Sequence, residues 1–211
     1  MKNLIIIGAR GFGREVVDFA KYCRGYKTEF IIKGFLDDKK EALDNYRNYP
    51  SIISSVEDYQ IEKDDVFISG LGSVFYTEQY VNMVLNKGGV FINLIHKDAV
   101  LRENVILGSG IIVGAGSLIS TDVSINDFTQ IMSYCVIGHD VKIGKFCRLG
   151  DFVFVGGYSK ISNNCFLAVR STVLANIDIS DHVTVGASSL VIKNIKPGIT
   201  VFGHPAIELK Y

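Results

Sequence analysis

The chain has 211 residues, 48% of them hydrophobic, and its 22 Lys and Arg residues balance 22 Asp and Glu. A chain of this size holds one or two domains with true cores, and a formal net charge of zero gives no general attraction to nucleic acid or an anionic membrane. Its apolar runs are too short to span a bilayer. Met1-Lys2-Asn3, followed by only four aliphatic residues before Gly8, lacks the form of a signal peptide, so a cytoplasmic protein is expected.

Residues 3–7 read as a short buried strand and residues 12–23 as a helix, with Val16, Val17, Phe19 and Ala20 on or near its apolar face. Residues 30–36 form a second strand ending at Asp37-Asp38. Residues 39–64 are charged and weakly patterned, and are read as loop with one short helix and strand. Residues 65–69 give a third strand closing on Gly70-Leu71-Gly72, residues 78–86 a second helix, and residues 90–94 a strand leading into the second half. Alternating strands and helices imply a small Rossmann-like parallel sheet with right-handed crossovers.

The turn after the first strand carries glycines at 8, 11 and 13, spaced G-x-x-G-x-G. The dinucleotide fingerprint is G-x-G-x-x-G, so the spacing argues against NAD. It still lets a phosphate or pyrophosphate approach the backbone at a helix N-terminus. Ligands of such sheets bind beyond the carboxyl ends of the strands, which gathers Gly8, Arg10, Gly11, Phe12, Gly13, Asp37, Asp38 and Gly70 as candidate acceptor-site residues. Arg10 is expected to meet a phosphate or carboxylate. Asp37 is expected either to bind a ribose hydroxyl or base, or to cap its loop. The plain alternative is a tight strand–helix turn with no ligand.

From Ile95 to Val191 every sixth residue is Ile, Leu or Val, and four residues after each stands a small or β-branched residue, from Ala99 to Ile195. A fixed six-residue period is the signature of a parallel β-helix. With three hexads per coil, residues eighteen apart stack at about 4.8 Å. The aliphatic column fills the axis and the small column the inner corners. Gly108, Gly114, Gly138, Gly144, Gly150, Gly156 and Gly186, each just after an aliphatic residue, are expected to turn the corners. Cys135, Cys147 and Cys165 fall in the small inward column and are read as reduced packing residues.

The chain has four histidines. His96 lies at the junction of the two halves, where a structural role is expected, His182 reads as a surface residue, and His204 sits in the tail. His139 is third in its hexad, facing outward, with Thr121 and Gly157 stacked on either side and open space expected over the glycine. A zinc site of three converging imidazoles does not fit, because His139 and His182 are the only histidines of the later coils and are not separated by a whole number of coils. No metal is expected.

Residues 8–16 (Gly-Ala-Arg-Gly-Phe-Gly-Arg-Glu-Val), 34–38 (Gly-Phe-Leu-Asp-Asp) and 137–144 (Ile-Gly-His-Asp-Val-Lys-Ile-Gly), joined to the repeat, resemble hexapeptide-repeat acyltransferases. The resemblance is to the subgroup of nucleotide-amino-sugar N-acetyltransferases and sialic acid O-acetyltransferases. It implies a left-handed β-helix, an acceptor-binding domain at 1–94, an acyltransferase domain at 95–196 and a tail at 197–211 packed on the last coils. It also implies acetyl-CoA as cosubstrate and a homotrimer with active sites between subunits. His139 becomes the general base and Asp140 the residue that raises its basicity. Adjacent residues of an extended strand point to opposite faces, so contact between these two requires a bend at the corner. Arg148, Val169 and Ala187 match coenzyme-contact positions. Phe12 stands where some relatives have a polar histidine. The exposed aromatics expected at the interface are Phe128, Tyr134, Phe146, Phe152, Phe154 and Tyr158.

The implied reaction is acetyl transfer to an amino group of a nucleotide-linked sugar. O-acetylation of sialic acid or another sugar hydroxyl is the alternative, and a non-catalytic or metal-bearing solenoid is a third. An imidazole, which titrates at about pH 6.5, is suited to taking a proton from an attacking amine at neutral pH.

Overall fold

The computed structural model describes residues 1–210, and the chain divides into two compact units, residues 1–97 and residues 98 onward.

In the first unit, β1 (Lys2–Ile7), β2 (Phe30–Leu36), β3 (Ile52–Ser54) and β4 (Asp65–Ser69) form a parallel sheet in the order β3-β2-β1-β4. The central strand β1 is buried from Leu4 to Ile7, as expected of a strand covered on both faces. Helix α1 (Gly11–Ala20) buries Gly13, Val16, Val17 and Ala20. Helix α2 (Val74–Asn86) begins four residues before its expected start, because Ser73 caps it by accepting from the Tyr76 N–H. The expected strand over 90–94 is reduced to an isolated bridge between Phe67 and Phe91 and a two-residue strand at Leu94–Ile95. Among the described residues no helix is long and apolar enough to cross a membrane.

The pairing of β1 with β2 shifts register at Leu4/Ile5, where Ile32 and Gly34 become successive partners. Lys33 is thus a bulge residue, and bulges re-aim side chains. Its Nζ donates to Asp65 Oδ1 at 2.9 Å, Glu62 Oε2 at 2.7 Å and the Tyr59 hydroxyl at 2.8 Å. The fully buried Asp65 carboxylate also accepts from the Tyr59 hydroxyl at 2.7 Å and the Glu62 N–H at 2.8 Å. Burial pushes the Asp65 carboxyl up, but the hydrogen bonds from Lys33, the Glu62 N–H and Tyr59 outweigh it and hold the carboxyl below its ordinary value.

The second unit is a left-handed parallel β-helix. Its three sheets are built of two-residue strands, each paired in register with the strand eighteen residues away: Val136–Ile137 with Phe154–Val155, Lys142–Ile143 with Lys160–Ile161, and Arg148–Leu149 with Phe166–Leu167. The aliphatic column is buried along the axis, with Ile119, Ile131, Ile137, Ile143 and Leu149 all fully inaccessible. At the last coil, Thr200–Phe202 adds a parallel strand and Ile207–Glu208 pairs antiparallel against it.

The corners are turned differently from the sequence expectation. From Asn104 to Ser188 every sixth residue has positive φ, Gly110 and Gly116 included. This residue lies three places after the aliphatic one and is mostly not glycine. Left-handed backbone costs an L-residue about 1–2 kcal/mol, and from Asp122 on each turn recovers a hydrogen bond to the coil before it: Phe128 N–H to Ser109 O at 2.8 Å, Asp140 N–H to Thr121 O at 3.1 Å, Phe146 N–H to Asp127 O at 3.0 Å. The glycines just after the aliphatic residues serve close approach instead. A Cβ on Gly114 would lie 2.5 Å from backbone of the next coil, and one on Gly156 would lie 2.4 Å away.

Several inner corners hold small polar groups that are satisfied by the backbone. Ser117, Thr129 and Ser159 donate to carbonyls of Met132, Gly144 and Leu174 at 2.8–2.9 Å. Cys135, Cys147 and Cys165 occupy equivalent places, their thiols meeting the carbonyls of Gly150, Ser162 and Ser180 at 3.0, 2.9 and 3.1 Å. All three are reduced, and burial pushes the Cys135 thiol up to about 12.

Removing the Asp65 charge puts a buried amide beside Lys33 and leaves Glu62 as its one carboxylate partner among the described residues. Asp65→Asn is expected to destabilise the first unit by about 3 kcal/mol at neutral pH, measured by denaturant unfolding. Because the folded carboxyl titrates below its ordinary value of 3.8, the advantage of the parent chain is full above that value and shrinks as pH falls below it.

Candidate active site

Two constellations stand out, one in each unit. In the first unit, a cavity of about 290 Å3 lies beyond the carboxyl ends of β1, β2 and β4 and is lined by Ile7, Gly8, Arg10, Leu36, Asp37, Asp38, Val56, Leu71, Tyr76 and Tyr80. Strands β2 and β4 flank β1, and the strand order reverses there, which is where open parallel sheets place ligands.

The glycines around it do separate jobs. A Cβ on Gly13 would lie 1.9 Å from Gly8 O, and one on Gly70 would lie 2.8 Å from Gly13 Cα. Gly8 itself has φ 95°. These three pack the turn, the helix and β4 together. Gly11, by contrast, faces open space. Arg10 is exposed at the N-cap of α1 and its side chain makes no cap hydrogen bond, and the N-terminus of a helix favours an anion.

Of the alternatives for Asp37, the structure shows the loop cap. Its Oδ2 accepts from Ala9 N–H at 2.8 Å and its Oδ1 from Lys39 N–H at 2.9 Å, and the residue is buried. Asp38 accepts from the Tyr80 hydroxyl at 2.5 Å. That bond and the nearby carboxylates push the Tyr80 phenol up to about 12, so it stays a donor at neutral pH. The sequence reading did not include Tyr76 and Tyr80. Their only signal was a four-residue spacing that places both on one face of α2. Phe12 is half-buried and does not line the cavity.

In the second unit, His139 and Asp140 form a contact that an extended strand forbids. Asp140 is a corner residue with φ 59°, and the bend brings its Oδ2 to 2.9 Å from His139 Nδ1. The space expected over Gly157 is taken by the imidazole itself: a Cβ there would meet Cε1 and Nε2 at 2.8 Å. Tyr158 stands edge-on to the same ring, centroids 5.0 Å apart and planes at 86°.

The backbone around His139 also differs from that of several neighbouring turns. At four turns the N–H of the third residue of the hexad is capped by a side chain one coil on: Ser109 by Asp127, Ser133 by Asp151, Lys145 by Asn163 and Asn163 by Asp181, at 2.8–3.0 Å. The column of Thr121, His139, Gly157 and Ala175 offers no such caps, because glycine and alanine have no oxygen to give. The N–H groups of His139 and Gly157 therefore have no side-chain cap among the described residues.

Val169 and Ala187 are exposed and one coil apart, with Ser188 N–H donating to Val169 O at 2.9 Å. Arg148 hydrogen-bonds Gln130, the residue one coil below it. His96 is buried against Phe19 and Tyr22, and His182 is exposed at a corner. Two of the six aromatics expected at the surface are not there: Phe128 and Phe146 stack at 5.0 Å and are each only 8% exposed, because stacking one coil apart covers their faces. Tyr134, Phe152, Phe154 and Tyr158 are exposed. Among the described residues no group of three or more His, Cys, Asp or Glu side chains is placed to hold a metal ion.

Comparison with known proteins agrees with both units. Residues 3–84 match the PglD N-terminal domain, and residues 122–157 match the bacterial transferase hexapeptide, six repeats. The chain joins a PglD-type N-terminal domain to transferase hexapeptide repeats. A perosamine N-acetyltransferase from Caulobacter crescentus, solved with CoA and GDP-perosamine, has the same fold over 100% of this chain and 98% of its own, with TM-score 0.89 and 22% identity. The acetyltransferase domain of PglB from Neisseria gonorrhoeae covers 99% of this chain and 100% of its own, with TM-score 0.57 and 25% identity. A serine acetyltransferase from Buchnera aphidicola is 42% identical over 50 residues, 24% of this chain, and the match spans only 19% of that relative.

The two kinds of glycine are separable. Gly13→Ala, which forces a Cβ into the Gly8 carbonyl, is expected to destabilise the first unit by about 2–3 kcal/mol. Gly11→Ala is expected to leave stability within about 1 kcal/mol of the parent. Thermal unfolding of the two variants side by side checks this.

Proposed function

We propose that this protein is an acetyl-CoA-dependent acyltransferase that acetylates the amino group of a nucleotide-linked sugar, with His139 as general base. The observation that carries the proposal is the His139–Asp140 pair beside the uncapped Gly157 N–H. Asp140 engages Nδ1, which leaves Nε2 as the nitrogen that takes a proton. The similarity to the PglB acetyltransferase domain, also solved with acetyl coenzyme A at 25% identity and TM-score 0.55, supports acetyl-CoA as the donor.

Transfer is direct, with no covalent acyl-enzyme. The neutral amine attacks the thioester carbonyl as Nε2 of His139 takes its proton. The tetrahedral oxyanion is met by a backbone donor, for which the Gly157 N–H is the candidate. Collapse forms the amide, breaks the C–S bond and releases a thiolate, to which the imidazolium returns the proton. Asp140 fixes the tautomer by accepting from Nδ1.

The cavity of the first unit is proposed to hold the nucleotide part of the acceptor. Its diphosphate would meet Arg10, the open face of Gly11 and the N-terminus of α1. Tyr76 and Tyr80 provide aromatic surface for a base, and Asp38 provides an acceptor for its N–H groups. Gly8, Gly13, Gly70 and Asp37 hold the walls of that site, and Phe12 lies beside it in sequence. Arg148, Val169 and Ala187 are proposed as the coenzyme track. Val169 sits below an alanine rather than an Asx residue, so no side chain one coil on caps its N–H, which suits a pantetheine amide. A homotrimer with sites between subunits is proposed as the working assembly, supported by the exposed Tyr134, Phe152 and Phe154, and the cytoplasm as its location, where both substrates are made.

The test is thiol release from acetyl-CoA against UDP-, dTDP- and GDP-linked amino sugars and free and CMP-linked sialic acid. Turnover is expected with an amino sugar, and His139→Ala is expected to lower kcat by about 10²–10⁴-fold. Turnover with a hydroxyl acceptor alone would replace N- by O-acetylation. Arg10→Ala is expected to raise the acceptor KM about tenfold with kcat little changed, which steady-state kinetics at varied acceptor would show.

A further inference from the structure

We propose that Tyr158 is a positioning residue that holds the His139 imidazole in its working orientation, with Gly157 as the floor on which the ring rests. This inference rests on the acyltransfer reading above.

The His139 side chain is 53% exposed, so nothing in the core of the β-helix fixes its rotamer. Three contacts do so instead. Asp140 engages Nδ1 at 2.9 Å. Gly157 lies so close beneath the ring that a single added methyl would collide with Cε1 and Nε2. Tyr158 closes a further side, edge to face at 5.0 Å, a favoured geometry for aromatic pairs. Together they leave one course open for the ring and place its free nitrogen.

Tyr158 is itself held in place by the coil. Its φ of 62° and its N–H bond to His139 O at 3.0 Å lock its backbone directly over the corner of Asp140. The other exposed and buried corner aromatics stack face to face with an aromatic one coil away: Phe128 on Phe146, and Tyr134 on Phe152. Tyr158 cannot do so, because its own column reads Asp122, Asp140, Tyr158 and Asn176. It turns to His139 instead. The fold does not need an aromatic ring there, since the same corner is turned by Asp and Asn in neighbouring coils, and at 57% exposure the ring adds little to the core.

The test uses the full chain with the amino sugar found in the acceptor panel. Tyr158→Ala is expected to lower kcat about 10- to 100-fold, the cost of a misplaced reacting group, while both KM values stay within about twofold. Tyr158→Phe, which keeps the ring, is expected to stay within about threefold of the parent. A readout without substrate is the 15N spectrum of the His139 imidazole. The parent is expected to show a single tautomer protonated at Nδ1, and Tyr158→Ala the averaged shifts of a free ring. Unchanged kcat and unchanged 15N shifts in Tyr158→Ala would overturn the proposal. So would a Tyr158→Phe variant as slow as Tyr158→Ala, which would assign the effect to the hydroxyl. If His139→Ala keeps full turnover, it is the general-base reading that fails, and the 15N spectra still decide whether Tyr158 holds the ring.

Discussion

Everything in the second unit depends on one backbone constraint, a left-handed residue at every sixth position from Asn104 to Ser188. Each such residue turns the chain at a corner, and from Asp122 on its N–H returns to a carbonyl of the coil before. The conformational cost at each corner is offset by that bond, so the stack is regular without a glycine at most turns. The regularity then fixes the lateral register. Residues eighteen apart are neighbours, and any chemistry placed at a corner is automatically repeated, reinforced or interrupted by the residue above it.

The candidate catalytic centre is such an interruption. Where four turns place Asp or Asn over the N–H one coil before, this column places Gly157 over His139 and Ala175 over Gly157. The loss of two caps does two things at once. It makes room for an imidazole to lie flat on the coil, and it leaves backbone N–H groups for a ligand. The corner bend also resolves the geometric objection to a His139–Asp140 contact, because left-handed backbone at Asp140 brings successive side chains to the same side.

The first unit shapes its candidate crevice by a different route. Gly8, Gly13 and Gly70 are consumed in packing strand ends against a helix, and Asp37 is consumed in tying two loops together. What remains exposed to a ligand is a smaller set: Arg10, the open face of Gly11, and the Asp38–Tyr80 pair. A Gly-rich turn is therefore a scaffold first, and only part of it is available for recognition.

Periodicity made the architecture legible in the sequence, because a six-residue repeat has one physical solution in which aliphatic residues share an axis. The same repeat placed Gly157 beside His139 by arithmetic alone. The alternation of strand, Gly-rich turn and helix likewise placed the crevice at Gly8, Asp37 and Gly70. The sequence could not show which residues turn the corners, since left-handed backbone leaves no mark when Phe, Tyr and Asp adopt it. For the same reason it could not show that Asp140 meets His139, that Phe128 and Phe146 bury each other, or that Tyr158 turns toward the imidazole. Those depend on side-chain direction. Tyr80 joined the crevice only through the packing of α2 on the sheet, a contact between residues 42 apart that no local pattern encodes. Hydrophobic spacing determined the frame, and tertiary packing decided which polar groups were left free to act.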